Sequence, residues 1–197
     1  MKRLFAILFA AAALTGCHEA TPVYWENIEI DRQGNGLTAK LNYPFRFGGI
    51  DSTTTLINAT IEERLKEGVM DEYSGLTLDS ALNLLIESKG ADTVLIRIPY
   101  ELTSDGSVYR TNGVESVMIH KYSYTGGANG NAEHIYLNFD PATGRLLSDR
   151  ELFTSLDELR RMVTDRFSEA VNEDYVLFDN LSIDSLPLPR QIGFDSI

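Results

Sequence analysis

The stretch Tyr122-Ser123-Tyr124-Thr125-Gly126-Gly127-Ala128-Asn129-Gly130-Asn131 holds the chain's densest set of groups able to recognise a ligand. Tyrosine rings give amphipathic contact area at low entropic cost, and Asn129 and Asn131 offer amide donors and acceptors. Glycines at 126, 127 and 130 let the backbone turn sharply or approach a ligand closely. The functional reading is a glycan- or peptide-contacting loop, since ring stacking combined with amide hydrogen bonds suits sugars. Tyr122, Tyr124, Gly126, Gly127, Asn129 and Asn131 are therefore the candidate ligand-binding residues. The competing account is a wide hairpin between two strands, since glycine and asparagine dominate turns for steric reasons alone.

Catalytic chemistry is thinner. Of the three histidines, His18 lies near the start, while His120 and His134 fall on expected strands and could meet across a sheet. With a carboxylate such as Glu133 they would make a sparse metal site, but no metal-binding spacing supports it. Ser123, His120 and Asp140 supply the residue types of a triad, yet no nucleophile elbow surrounds Ser123. The acidic residues near Asp140 and Asp149 do not follow a calcium-loop pattern, and no glycine-rich phosphate loop precedes a helix. No catalytic residue, metal ligand or cofactor is assigned.

Cys17 is the single cysteine, and it follows a signal segment: Lys2-Arg3, the apolar run Leu4 to Leu14, then Thr15-Gly16. Leu14-Thr15-Gly16-Cys17 matches the cleavage and acylation pattern of bacterial lipoproteins, so residues 1–16 read as a signal peptide and Cys17 as the lipidated first residue. The eleven apolar residues fall short of the roughly 20 that span a bilayer. A free thiol in an oxidising compartment would be unusual, whereas acylation explains both its presence and its position. Residues 17–23 are a lipidated tether. The expected location is the bacterial cell envelope, with the outer membrane as first choice.

The whole chain carries a formal charge of −12. Removing Lys2 and Arg3 with the signal leaves 15 basic against 29 acidic residues, or −14. Such a surface argues against nucleic acid and against a basic patch for anionic lipid, and it permits cationic partners.

The elements expected to hold these groups run as follows. Strand-like Tyr24–Asp31 and Leu37–Phe47 flank Gly34-Asn35-Gly36, a hairpin signal, and Pro44 favours an edge or strand end. A helix is expected over 53–67, with Ile57, Ile61 and Leu65 on one face, Leu56 widening it and Asp51 or Ser52 as cap. A second spans 77–89, capped by Thr77 and closed by Gly90, with Leu78, Ala81, Leu82, Leu85 and Ile86 inward. Residues 93–102, 108–111, 114–124 and 132–139 read as strands, with Ser104 to Ser107 as a turn. Ile135, Leu137 and Phe139 alternate against His134, Tyr136 and Asn138. A third helix starts at Ser155 with Glu158 as a capping box and Leu156, Leu159, Val163, Phe167 and Ala170 on one face. Hairpin turns rather than helical crossovers indicate an α+β fold: an antiparallel sheet with about three helices packed on it. Residues 24–197 form one domain, with halves 24–100 and 101–197, and Gly193 to Ile197 suggests that the natural chain continues.

Tyr124-Thr125-Gly126-Gly127-Ala128-x-Gly130, then Asn138-Phe139-Asp140-x-x-Thr143-Gly144 and Asp149 to Phe153, resemble a domain of unknown function in exported bacterial proteins. It occurs in RsiV-type anti-sigma factor ectodomains, in lipoproteins and in extracellular regions linked to PdaC-type deacetylases. Leu41-Asn42-Tyr43-Pro44 and the helix with Ile57-Asn58 resemble its N-terminal half, so the likeness covers about Ile28 to Ile197. Asn129 stands where members usually carry His, which removes any acid–base or metal role for that His here. The resemblance implies binding rather than catalysis, with a cell-wall glycan or a lysozyme-like protein as partner. The alternatives are an envelope hydrolase and a structural subunit of an envelope complex.

Overall fold

The computed structural model describes residues 21–111 and 113–175, with side chains of the last helix through Arg166. Strands β1 (Thr21–Gly34) and β2 (Leu37–Gly49) form a long hairpin. Its turn residues Asn35 and Gly36 take φ of 47° and 77°, the left-handed pair that Asn-Gly is suited to. Helices α1 (Asp51–Lys66) and α2 (Leu78–Ala91) follow, with short 3₁₀ turns at Asp71–Tyr73 and Leu95–Arg97. Strands β3 (Tyr100–Thr111), β4 (Val114–Tyr124) and β5 (Asn131–Phe139) complete a five-stranded sheet in chain order. A one-turn helix α3 (Asp149–Leu152) precedes α4 (Leu156–Tyr175).

The fold is α+β as expected, and three of the four strand pairings are antiparallel. The fourth, β2 with β3, is parallel over Leu37–Leu41 and Tyr100–Ser104. A parallel pair needs a crossover, and α1 with α2 provides it, so the central connection is helical rather than a hairpin.

Several boundaries depart from the expected ones. β1 begins at Thr21, so three residues assigned to the tether lie in the sheet. Residues 93–99 precede the strand, which starts at Tyr100, because Asp92 Oδ1 accepts from the Val94 and Leu95 amides and coils the chain. The expected turn at Ser104 to Ser107 is the middle of β3, with Asp105 opposite His120 and Gly106 opposite Ile119. Gly106 is there for close approach, since a Cβ would meet Pro44 Cδ at 2.5 Å. Pro44 itself stands inside β2, beyond the point where the ladder to β3 ends. Asn27 Nδ2 reaches past it to the Gly106 carbonyl at 3.0 Å. Gly90 lies within α2 rather than past its end, where a side chain would collide with Asn35. α1 is preceded by Ile50 with no side-chain cap.

One buried cluster joins Ile30, Leu37, Leu41 and Tyr43 to Ile57, Ile61, Leu78, Leu82, Ile119, Leu137 and Phe139. It draws on all five strands and on α1 and α2. Leu56 is exposed and does not widen the α1 stripe. In α4, Leu156, Leu159 and Val163 are only half-buried, so the expected apolar face is not packed into this core. The side chains of Phe167 and Ala170 lie outside the described residues.

Three buried lysines, Lys66, Lys89 and Lys121, tie separate segments of the fold to one another. Lys121 Nζ of β4 donates to the Glu67 carbonyl at the end of α1 (2.7 Å) and pairs with Glu133 of β5 (2.8 Å). Lys66 Nζ donates to Glu63 and the Leu76 carbonyl. Lys89 Nζ donates to the Leu95 and Ile98 carbonyls at 2.7 and 2.8 Å and sits 3.7 Å from the Tyr100 ring centroid. Of the three, only Lys121 meets the end of a helix, where carbonyls lack partners within the helix; Lys66 and Lys89 reach carbonyls of the segments that follow their helices.

Candidate functional site

Both helices of the crossover pack on one face of the sheet, α1 on β2 and β5 and α2 on β1. Alternation sends the intervening side chains to the other face. On β4 the inward set is Glu115, Val117, Ile119, Lys121 and Ser123; the outward set is Ser116, Met118, His120, Tyr122 and Tyr124. On β5, His134 and Tyr136 are outward and exposed.

Register assembles these outward residues into rows. Asp105, His120 and His134 stand opposite one another across β3, β4 and β5, and Thr103, Tyr122 and Ala132 form the next row. Asn42 Nδ2 of β2 donates to Asp105 Oδ1 at 3.2 Å and extends the first row. The two rows line an open recess of about 340 Å³, to which Ser104, Lys121 and Glu133 also contribute. Tyr109 and Tyr136 are 57% and 60% exposed on the same face. Two buried polar atoms nearby, Asn42 Oδ1 and Ser107 Oγ, have no hydrogen-bond partner among the described residues.

The loop 125–130 closes the β4–β5 hairpin beside this recess. Its glycines differ in what they do. Gly126 has φ of 86°, and a Cβ there would overlap Ile98 Cγ2; Gly130 lies against the Tyr122 ring, which a Cβ would displace. Gly127 has no positive φ, and its nearest Cβ contact would be the Asn129 carbonyl at 3.7 Å. Gly126 thus packs the loop onto the segment that leads into β3, and Gly130 packs it onto β4. Asn129 and Asn131 are exposed. Tyr122 and Tyr124 are half-buried at the loop's base.

The structure brings the two histidines together, with ring centroids 3.9 Å apart at 67°. It separates them from Glu133, which is on the helix-bearing face and paired with Lys121. Ser123 and His120, three apart on one strand, point to opposite faces. Asp140 is taken up by the turn after β5, accepting from the Ala142 amide and Thr143 Oγ1, both at 2.9 Å. Those bonds hold its carboxyl below the usual aspartate range, the amide contributing most. No triad forms from these three. Among the described residues, no three His, Cys, Asp or Glu side chains converge as a metal set. Cys17 and His18 lie outside the described residues.

Sequence reading missed Asp105, Thr103 and Asn42. Asp105-Gly106 carries the composition of a turn, and only the Pro44 contact shows why a strand holds it. Tyr136 was visible in the alternation of β5.

By fold and site the described residues make an α+β domain with one sheet face covered by helices and one face that, among the described residues, is largely uncovered. Solved structures that resemble it include two DUF3298-family proteins. A DUF3298-family protein of Bacteroides fragilis aligns with a TM-score of 0.54 at 15% identity, over 83% of this chain and 72% of that one. A DUF3298-family protein of Pseudomonas aeruginosa aligns with a TM-score of 0.46 at 17% identity, over 64% and 56%. The first shares the fold, which is that of a domain of unknown function. No family profile matches the chain, and no curated protein matches it.

Proposed function

We propose that this chain is an exported envelope lipoprotein, anchored through Cys17 at the outer membrane, whose α+β body is a non-catalytic binding module for a cell-wall glycan. The observation that carries the binding role is the sheet face that, among the described residues, is left largely uncovered. It gathers Tyr122, His120, His134, Asp105 and Thr103 around one recess, with Asn129 and Asn131 exposed beside it. Aromatic faces flanked by amide, carboxylate and hydroxyl groups stack on sugar rings and bond their hydroxyls. The lipid anchor is supported by the pattern Leu14 to Cys17.

A second reading, docking of a cationic lysozyme-like protein, is favoured by the charge of −14 left after signal removal. One titration separates the two: soluble peptidoglycan fragments and lysozyme are each added to immobilised protein. Saturable glycan binding supports the first reading, and binding of lysozyme alone supports the second. Binding of neither overturns both, and release of cleaved glycan would instead favour an envelope hydrolase. For the anchor, palmitate label should be lost in Cys17→Ser; equal label in both proteins would end that claim.

A further inference from the structure

We propose that His120 and His134 form a two-imidazole site for a single divalent transition-metal ion of the copper, nickel and zinc class, set in the uncovered sheet face. The inference does not depend on what else the face binds. The two residues are directly opposed in the β4–β5 register, and their rings already touch at a centroid separation of 3.9 Å. Both are exposed, so neither ring is locked by packing. Two imidazole nitrogens about 2 Å from one ion place ring centres roughly 5 Å apart, so the rings need to part by only about 1 Å. Side-chain rotation on fixed strands supplies that movement.

The surroundings favour a cation. Asp105 is opposite His120 on its other side, with one carboxylate oxygen held by Asn42. The nearest lysine in sequence, Lys121, points to the opposite face and is bound to Glu133 and the end of α1. Imidazole ligands select copper, nickel and zinc over the oxygen-seeking magnesium and calcium, with copper(II) the tightest. With only two protein ligands, the ion keeps positions for water or for an incoming donor group.

The chain has one cysteine and three histidines, which makes the test clean. The full chain carrying Cys17→Ser and His18→Ala retains only His120 and His134. Calorimetric titration of that protein, without glycan, should show one copper(II) per chain, weaker zinc(II), and no magnesium response. His120→Ala or His134→Ala should each weaken copper binding about tenfold or more, since losing even an indirect partner of a ligand costs roughly 10–100-fold. Electron paramagnetic resonance of the copper-loaded protein should show two equivalent-class imidazole nitrogens, a readout that needs no variant at the site. Undiminished affinity in either single variant overturns the proposal. So does binding of two coppers, one per histidine, or a spectrum with a single imidazole nitrogen.

Discussion

Gly126→Ala and Gly127→Ala, adjacent and chemically identical changes in one exposed loop, should differ sharply in stability. At Gly126 the backbone has φ of 86°, where a Cβ costs about 1–2 kcal/mol. The added methyl would also overlap Ile98 Cγ2. Ile98 is half-buried and yields in part, so the overpacking cost falls at the lower end of about 1–3 kcal/mol. The sum is about 2–4 kcal/mol of destabilisation. At Gly127 there is neither a positive φ nor a Cβ contact closer than 3.7 Å. Alanine there restricts the unfolded chain and is neutral or stabilising by up to about 1 kcal/mol. Urea unfolding followed by far-ultraviolet circular dichroism reads the difference. With a slope of about 2 kcal/mol per molar, the two midpoints should separate by about 1–2 M. Equal midpoints, or a larger loss at Gly127, would refute the reasoning that Gly126 alone of the two is held by geometry.

Lys121→Met should lower stability by about 2 kcal/mol, because the Glu67 carbonyl and the Glu133 carboxylate lose their shared donor. Thermal unfolding should fall by about 4–8 °C, and no change would remove the lysine from the set of ties between sheet and α1. Glu151 should titrate near pH 2: its carboxyl is lowered from 4.5 to about 2, first by the Arg145 side chain and then by the Ser148 amide and hydroxyl. Because the folded value lies below the unfolded one, its contribution is present above about pH 4.5 and is lost as pH falls toward 2. Carboxyl chemical shifts across that window report it directly; a midpoint near 4.5 would mean that the Arg145 pair, 2.7 Å long, does not persist in solution.

The hairpin at Asn35-Gly36, the inward faces of α1 and α2 and the alternation of β5 were legible because each is a local pattern. Asn-Gly fixes a turn through φ alone, and Leu78, Ala81, Leu82 and Leu85 repeat at helical spacing. What was not legible depends on partners distant in sequence. Asp105-Gly106 reads as a turn until Pro44 is seen against Gly106. The β2–β3 pairing is parallel because the helices carry the chain back, which no strand records. His120 and His134, by contrast, were expected to be able to meet across a sheet, and the β4–β5 register makes them direct partners. The buried lysines break the rule that charge lies outside, because carbonyls of other segments satisfy them. In the loop 125–130, two of the three glycines, Gly126 and Gly130, are explained by intramolecular packing.

Glycan binding by the sheet face left largely uncovered among the described residues can be measured directly. The most direct measurement is the affinity of the full chain for a soluble peptidoglycan fragment, compared with Tyr136→Ala and with the double change Asn129→Ala/Asn131→Ala. All three side chains are exposed, so folding should be spared. Leu84→Ala, on α2 and exposed, serves as the control. Weakening of about 1 kcal/mol or more, roughly fivefold, is expected in both face variants and none in the control. Unchanged affinity in both face variants, or equal loss in the control, would contradict it.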